Sequence, residues 1–263
     1  MYLMKKNIVV LLLTASLFLT GCLEVTQELT IGKDGSGTLS NTTDMSQMVS
    51  MAMQMAGDKI GEQKMNMDTM INFQSVLDSV KDISPANKEL LKNGTIHVIM
   101  KMDDNKYLIN SSIPFKKMGD VEKINLAMQK EVNGKFLDNA MKEAMKQGKG
   151  LDSSMMNNQQ ATPQLSLPDN YFILTCKEGV ISRTADKVKM TTLADDEMMN
   201  QMKQMSAMGA PLKTNFVINL PRPAKKVEGK NVTLSDDKKK ITVANELNDL
   251  FDDPSLFEFK VEY

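Results

Sequence analysis

The pattern that most limits the fold of this chain begins at residue 23. Leu23, Val25, Leu29 and Ile31 alternate with polar neighbours, and only Gln27 breaks the phase. A period of two over nine residues is that of a strand with one face buried. Gly32-Lys-Asp-Gly-Ser-Gly37 then supplies turn residues, and Thr38 to Thr43 reads as the returning strand of a hairpin. The same period recurs at Ile96, Val98, Met100 and Met102, which returns after Asp103-Asp-Asn-Lys106 through Tyr107 to Phe115. Hairpins without a βαβ rhythm imply an antiparallel sheet.

Upstream of residue 23 there is no room for a linker. Lys5 and Lys6 precede an apolar run from Ile8 to Leu19, followed by Thr20, Gly21 and Cys22. A basic start, an apolar stretch and small residues are the parts of a secretory signal. The run is about a dozen residues, too short for the roughly 20 that span a bilayer. Leu19-Thr20-Gly21-Cys22 resembles the lipobox of bacterial lipoproteins. The resemblance implies cleavage of residues 1–21, a diacylglyceryl group and further acyl chains such as palmitate on Cys22, and attachment to a membrane of the cell envelope. Leu23 after the cysteine is similar to an outer-membrane sorting signal in a Gram-negative envelope.

Cleavage at Cys22 leaves 242 of the 263 residues and, with Lys5 and Lys6 gone, takes the formal net charge from −1 to −3. Such a balance gives no reason to expect nucleic acid as a partner. With Cys22 acylated, Cys176 has no intrachain thiol to pair with, and its strand phase with Phe172 and Leu174 marks it as a small buried hydrophobe.

Methionine is over-represented, at 24 residues, and tryptophan is absent. The methionines gather in Met45 to Met70 and Met190 to Met208. Met48, Met51 and Met55 in the first, and Met198, Met202 and Met205 in the second, are spaced by three and four, which puts thioethers on one helix face. Three readings follow: the core face of an amphipathic helix, an adaptable apolar surface for a lipid or a partner protein, or soft ligands for Cu(I). No histidine or cysteine cluster accompanies them, and the one histidine, His97, lies on the polar face of its strand.

Helix is expected from Asp44 to about Lys92, interrupted near Gly57 and Gly61 and again at Ser84-Pro85, with Asp44 and Ser84 as N-caps, from Asp120 to Gln147, and from about Leu193 to Met208. Residues 148–170 mix Gly, Ser, Asn, Gln and Pro, so they read as a loop or linker between an N-terminal α+β region, 22–147, and a C-terminal one, 171–263, whose strands complete the same sheet. Those strands are expected at Tyr171 to Cys176, Val180 to Thr184, Thr214 to Leu220, Ala224 to Glu228, Asn231 to Leu234, Lys240 to Leu247 and Leu256 to Tyr263. The fold class is therefore α+β, an antiparallel sheet of hairpins with long Met-rich helical insertions.

Catalytic signatures are missing. There is no GxSxG, no HExxH, and one imidazole for any nucleophile to borrow. Asp103-Asp104, Asp195-Asp196, Asp236-Asp237 and Asp252-Asp253 are adjacent acids in turns or helix starts. The chain reads as non-catalytic, with no cofactor and no metal beyond the Cu(I) alternative.

Gly21-Cys22-Leu-Glu-Val with the strand to Ile31, the Asp34-Gly-Ser-Gly-Thr turn, and the pattern Asn215-Phe-Val-Ile-Asn-Leu-Pro221 through Val227-Glu-Gly229, Leu234-Ser-Asp-Asp237 and Lys240-Ile-Thr-Val243 together resemble the mycobacterial LppM-like lipoproteins. That resemblance implies an α+β domain at the envelope that binds lipid or glycolipid, with no catalytic residues. The function expected is a lipid-anchored envelope protein that offers an apolar surface to a lipid or a protein. The alternatives are a Cu(I)-handling module and a structural subunit of an envelope complex.

Overall fold

The computed structural model describes residues 23–47, 49–50, 66–80, 83–131, 136, 139–140, 142–143, 168–207 and 211–263. Twelve strands among them form two sheets. The first half of the chain contributes β1 (Leu23–Ile31), β2 (Gly37–Asp44), β3 (Asn66–Asn72), β4 (Thr95–Lys101) and β5 (Lys106–Phe115). The second contributes β6 (Phe172–Lys177), β7 (Val180–Ala185), β8 (Leu212–Asn219), β9 (Lys226–Gly229), β10 (Val232–Leu234), β11 (Lys240–Glu246) and β12 (Phe259–Glu262). The larger sheet has the order β10-β11-β8-β1-β2-β5-β4-β3, and the smaller β6-β7-β12-β9.

The α+β class is as expected, and three details of the sequence reading need correction. The strands of 171–263 do not all complete one sheet, because β6, β7, β9 and β12 form the second. The region from Asp44 to Lys92 is not helical throughout: Asn66–Asn72 is a strand, because Met67 and Ile71 fill the core beside Met100 and Ile96. Leu247 does not end a strand. It starts a helix, Leu247–Asp252, whose capping box pairs the side chains of Glu246 and Asp249 with each other's backbone N–H groups.

One face of the large sheet is polar and the other carries the core. On the polar face the side chains bond across strands: Ser40 Oγ donates to Ser112 Oγ (3.1 Å), Asn110 Nδ2 to Thr42 Oγ1 (2.6 Å), and His97 pairs with Asp68 (2.7 Å). The core face is covered over one half by α1 (Phe73–Leu77), α2 (Pro85–Leu91) and α3 (Met118–Glu131). Ser84 caps α2 by accepting from Asn87 N, as its place before Pro85 predicts. The small sheet covers the other half, with the Phe259 ring 5.0 Å from that of Phe216.

Between these apolar layers runs a line of buried polar groups. Gln27, the phase-breaker of β1, is 5 % exposed and donates its amide to Asn41 Oδ1 (3.0 Å) and to Asn125 Oδ1 of α3 (3.2 Å). One turn further along α3, Gln129 donates to the carbonyl of Asp169 (3.1 Å). The Asp169 carboxylate meets the guanidinium of Arg183 at 2.6 Å. Arg183 is buried, with its guanidinium 4.2 Å from the Phe172 ring centre, and burial pulls its pKa down while Asp169 opposes the shift. Leu29 and Ile31 belong to the apolar cluster on one side of Gln27, and Leu23 and Val25 to the cluster on the other.

Removing one partner of a buried ion pair strands the other charge, a loss of about 3 kcal/mol or more. Arg183→Met is expected to lower the urea midpoint by a corresponding amount, and the double variant Arg183→Met/Asp169→Asn to recover part of it. Equal midpoints for wild type and Arg183→Met would remove the pair from the core's account.

Candidate functional site

The strand β1 gives the domain two unlike ends. Its N-terminal end starts one residue after Cys22. There Leu23 pairs with Leu212, Glu24 with Asp44, and the chain leaves β2 at Asp44 and joins β3 at Asn66. Nine residues of strand carry the backbone about 26 Å to the opposite end, where β1 turns into β2.

At the Cys22 end, Leu23, Val25 and Leu212 pack with Phe172, Phe257 and the helix Glu197–Ala207, here α5. Asp196 sets the start of α5, since its carboxylate accepts from Met199 N (3.0 Å) and from the Tyr171 hydroxyl (2.6 Å). Burial and that acceptor push the Tyr171 pKa upward. Of the methionines singled out by spacing, Met202 is buried and Met198 is half-buried on the rim of the cluster. Met205 is also half-buried. The deepest is Met199, with no exposed surface, so the inward face of α5 is turned by one residue from the 198-202-205 stripe. The Asp196 cap fixes where α5 begins, and packing against the Leu23 cluster sets which of its methionines turn inward. Met48, Met51 and Met55, and Leu19, Thr20, Gly21 and Cys22, lie outside the described residues.

Between β7 and α5 the short helix Lys187–Met190, α4, stands at the same end, because Asp186 N donates to the Tyr171 carbonyl (2.9 Å). Asp186 caps it by accepting from Val188 N (3.0 Å) and Lys189 N (3.2 Å). Val188 is 78 % exposed between two lysines, more than any other large apolar side chain among the described residues.

The opposite end holds a cleft of about 680 Å³. Its walls are the β1–β2 turn, Lys117 to Gly119, the β6–β7 turn at Glu178 and Gly179, Pro221, Arg222 and Tyr263. Asp34 builds the first turn by accepting from Ser36 Oγ (2.7 Å) and Ser36 N (3.1 Å), and the Ser36 hydroxyl holds its carboxyl below the ordinary value. Gly179 takes φ 75°, which an L side chain rarely adopts, and its carbonyl accepts from Tyr263 N (2.9 Å). Arg222 is spent on structure, donating to the Tyr263 carbonyl at 3.1 Å. The cleft thus sets Lys33 and Lys117 beside the acids Asp34 and Glu178 and the apolar Ile31 and Met118.

Cys176 is 2 % exposed on the inward face of β6. Burial, and then the Glu122 carboxylate that accepts from Cys176 N (2.7 Å), push its thiol up to about 12. Among the described residues no group of three or more His, Cys, Asp or Glu is placed to hold a metal ion, and no helix is long and apolar enough to cross a membrane.

No family model matches this chain, and no curated protein matches it. Among solved structures it is similar to the NMR structure of the folded domain of Mycobacterium tuberculosis LppM, at 8% identity and a TM-score of 0.34, over 94% of this chain and 92% of that one. So slight a likeness carries no argument about ligand or role.

The raised thiol pKa has two consequences. In native protein Cys176 is expected to resist thiol reagents at pH 8 and to react fully in denaturant, which a colorimetric thiol count measures. The unfolded thiol loses its proton near its ordinary value of 9.0, whereas the folded one holds it to about 12, so this group's stabilisation is complete below pH 9 and declines as pH rises from there. Cys176→Ala is expected to flatten the alkaline limb of the stability profile.

Proposed function

We propose that this chain is a non-catalytic envelope lipoprotein, acylated on Cys22, that holds its α+β domain directly against a membrane and offers an apolar surface to a lipid or a partner protein there. The observation that supports it most is the place where the fold begins. Leu23 is already 7 % exposed and paired within the large sheet, in a strand with neighbours on both edges. A signal cut before Cys22 therefore leaves no residue between the acylated cysteine and the core. One acyl chain binds a bilayer marginally, while several together hold it durably.

Met199 and Met202 are buried in the apolar cluster that also holds Leu23 and Phe257, which supports a filling role for the α5 thioethers. The apolar surface then lies outside this face, on the rim made by Met198, Met190 and Phe251.

The direct test is mass spectrometry of the N-terminal peptide from the membrane fraction, with metabolic palmitate labelling. The expected peptide begins at Cys22 and carries a diacylglyceryl group, and Cys22→Ala abolishes the label. A chain still starting at Met1, unlabelled, would overturn the reading.

A further inference from the structure

We infer that the end of the domain bearing Val188 lies on the bilayer, with Val188 entering the interface between headgroups and acyl chains, so that the cleft at Lys33 and Lys117 points away from the membrane. The inference rests on acylation of Cys22.

Two independent observations meet at this end. The first is the anchor. Leu23 follows Cys22 by one peptide link, about 3.8 Å between α-carbons, and Leu23 is fixed by its pairing with Leu212, so the point of acylation directly adjoins this end of the sheet. The second is the surface that surrounds it. Phe172 and Tyr171 share a cluster with Leu23 and Val25, and Phe172 pairs with Ala185, the residue from which the chain passes through Asp186 into α4. Val188 therefore follows by three residues a strand end, Ala185, that packs against the Leu23 cluster.

Val188 has the character of an interfacial contact. It is 78 % exposed in a stably capped turn, and Lys187 and Lys189 flank it, both exposed. An apolar tip between lysines suits the boundary where hydrocarbon meets phosphate, because the Lys187 ammonium reaches headgroups while the isopropyl group leaves water; the Lys189 ammonium donates to the Asn170 carbonyl (2.8 Å). Half-buried Met190, Met198 and Phe251 pack against the apolar cluster that holds Leu23 and Val25. Acids at this end, Asp195, Glu197 and Asp249 among them, balance the lysines, so the contact is expected with zwitterionic lipid and does not require an anionic surface. Of the other strongly exposed apolar side chains, Ile173 pairs with Thr184 next to Phe172 and shares this end, whereas Met70 is in the edge strand β3 and Leu126 on α3.

The experiment uses the full processed chain in phosphatidylcholine vesicles that contain a fraction of bromine-labelled lipid. Val188→Cys and, separately, Lys33→Cys receive an environment-sensitive fluorophore; Cys176 is buried and Cys22 is blocked by its lipid, so neither takes label. Fluorescence from position 188 is expected to be quenched by the bromolipid several-fold more than that from position 33. Equal quenching, or stronger quenching at 33, in protein shown by intact mass to be acylated would overturn the orientation and leave the lipoprotein reading standing. Unacylated protein that does not float with the vesicles would overturn both. Lys187→Cys serves as a second probe beside Val188 and is expected to follow it.

Discussion

The parallel pairing of β1 with β8 is the constraint on which the rest of the domain depends. Every other strand pair joins antiparallel neighbours, mostly close in sequence, whereas this one brings Leu23–Thr30 against Leu212–Asn219. Its register is held on the polar face by two asparagines. Asn215 donates to Glu24 Oε1 (2.7 Å) and Thr26 Oγ1 (3.3 Å), and Asn219 donates to Glu28 Oε1 (2.5 Å) and Thr30 Oγ1 (3.0 Å). A slip by one residue would expose the inward set Leu23, Val25, Leu29 and Ile31 to water and break all four bonds. Through this pairing the start of the fold becomes the middle of an eight-stranded sheet.

Central placement of β1 also explains why polar groups are buried beneath it. Gln27 sits where α3 approaches the sheet, and its amide is satisfied by Asn41 and Asn125, so the break in the apolar phase is a junction and not a defect. From α3 the same line passes through Gln129 and Asp169 to Arg183 of the small sheet. An apolar core alone would let the helical layer, the small sheet and the large sheet slide against each other. Directed hydrogen bonds of buried partners set their mutual positions, since any shift leaves a donor or acceptor unpaired at a cost of about 1–3 kcal/mol.

Much of this was legible from residue period. The strands β1, β4, β5 and β6 alternate cleanly and lie where the sequence puts them, and the turn at Asp34 and the cap at Ser84 carry their own chemistry. β3 escaped because Met70, on its exposed side, stands next to inward Ile71, so the apolar residues 67, 70 and 71 imitate a helical spacing. The helix at Leu247–Asp252 escaped because its cap is a glutamate, a residue type seldom read as an N-cap. The division into two sheets and the β1–β8 pairing depend on contacts nearly 190 residues apart, for which no local pattern exists. At the Cys22 end, the Met-rich helix was legible and its rotation was not, because adjacent Met198 and Met199 are equivalent in composition and only packing against the Leu23 cluster decides between them. Val188 carried no signal at all: a lone valine between lysines acquires meaning only once the end of β7 packs against the cluster that holds Leu23 and Val25.

The account's central claim is that ordered sheet begins immediately at the anchor, and amide hydrogen exchange of the membrane-bound chain, resolved along residues 23–31, tests it most directly. Slow exchange from Glu24 through Ile31, matching that of Lys213–Asn219 in β8, is the predicted result. Exchange at free-peptide rates over Leu23–Gln27, with protection only beyond, would mean that a flexible tether joins Cys22 to the domain and would contradict the account.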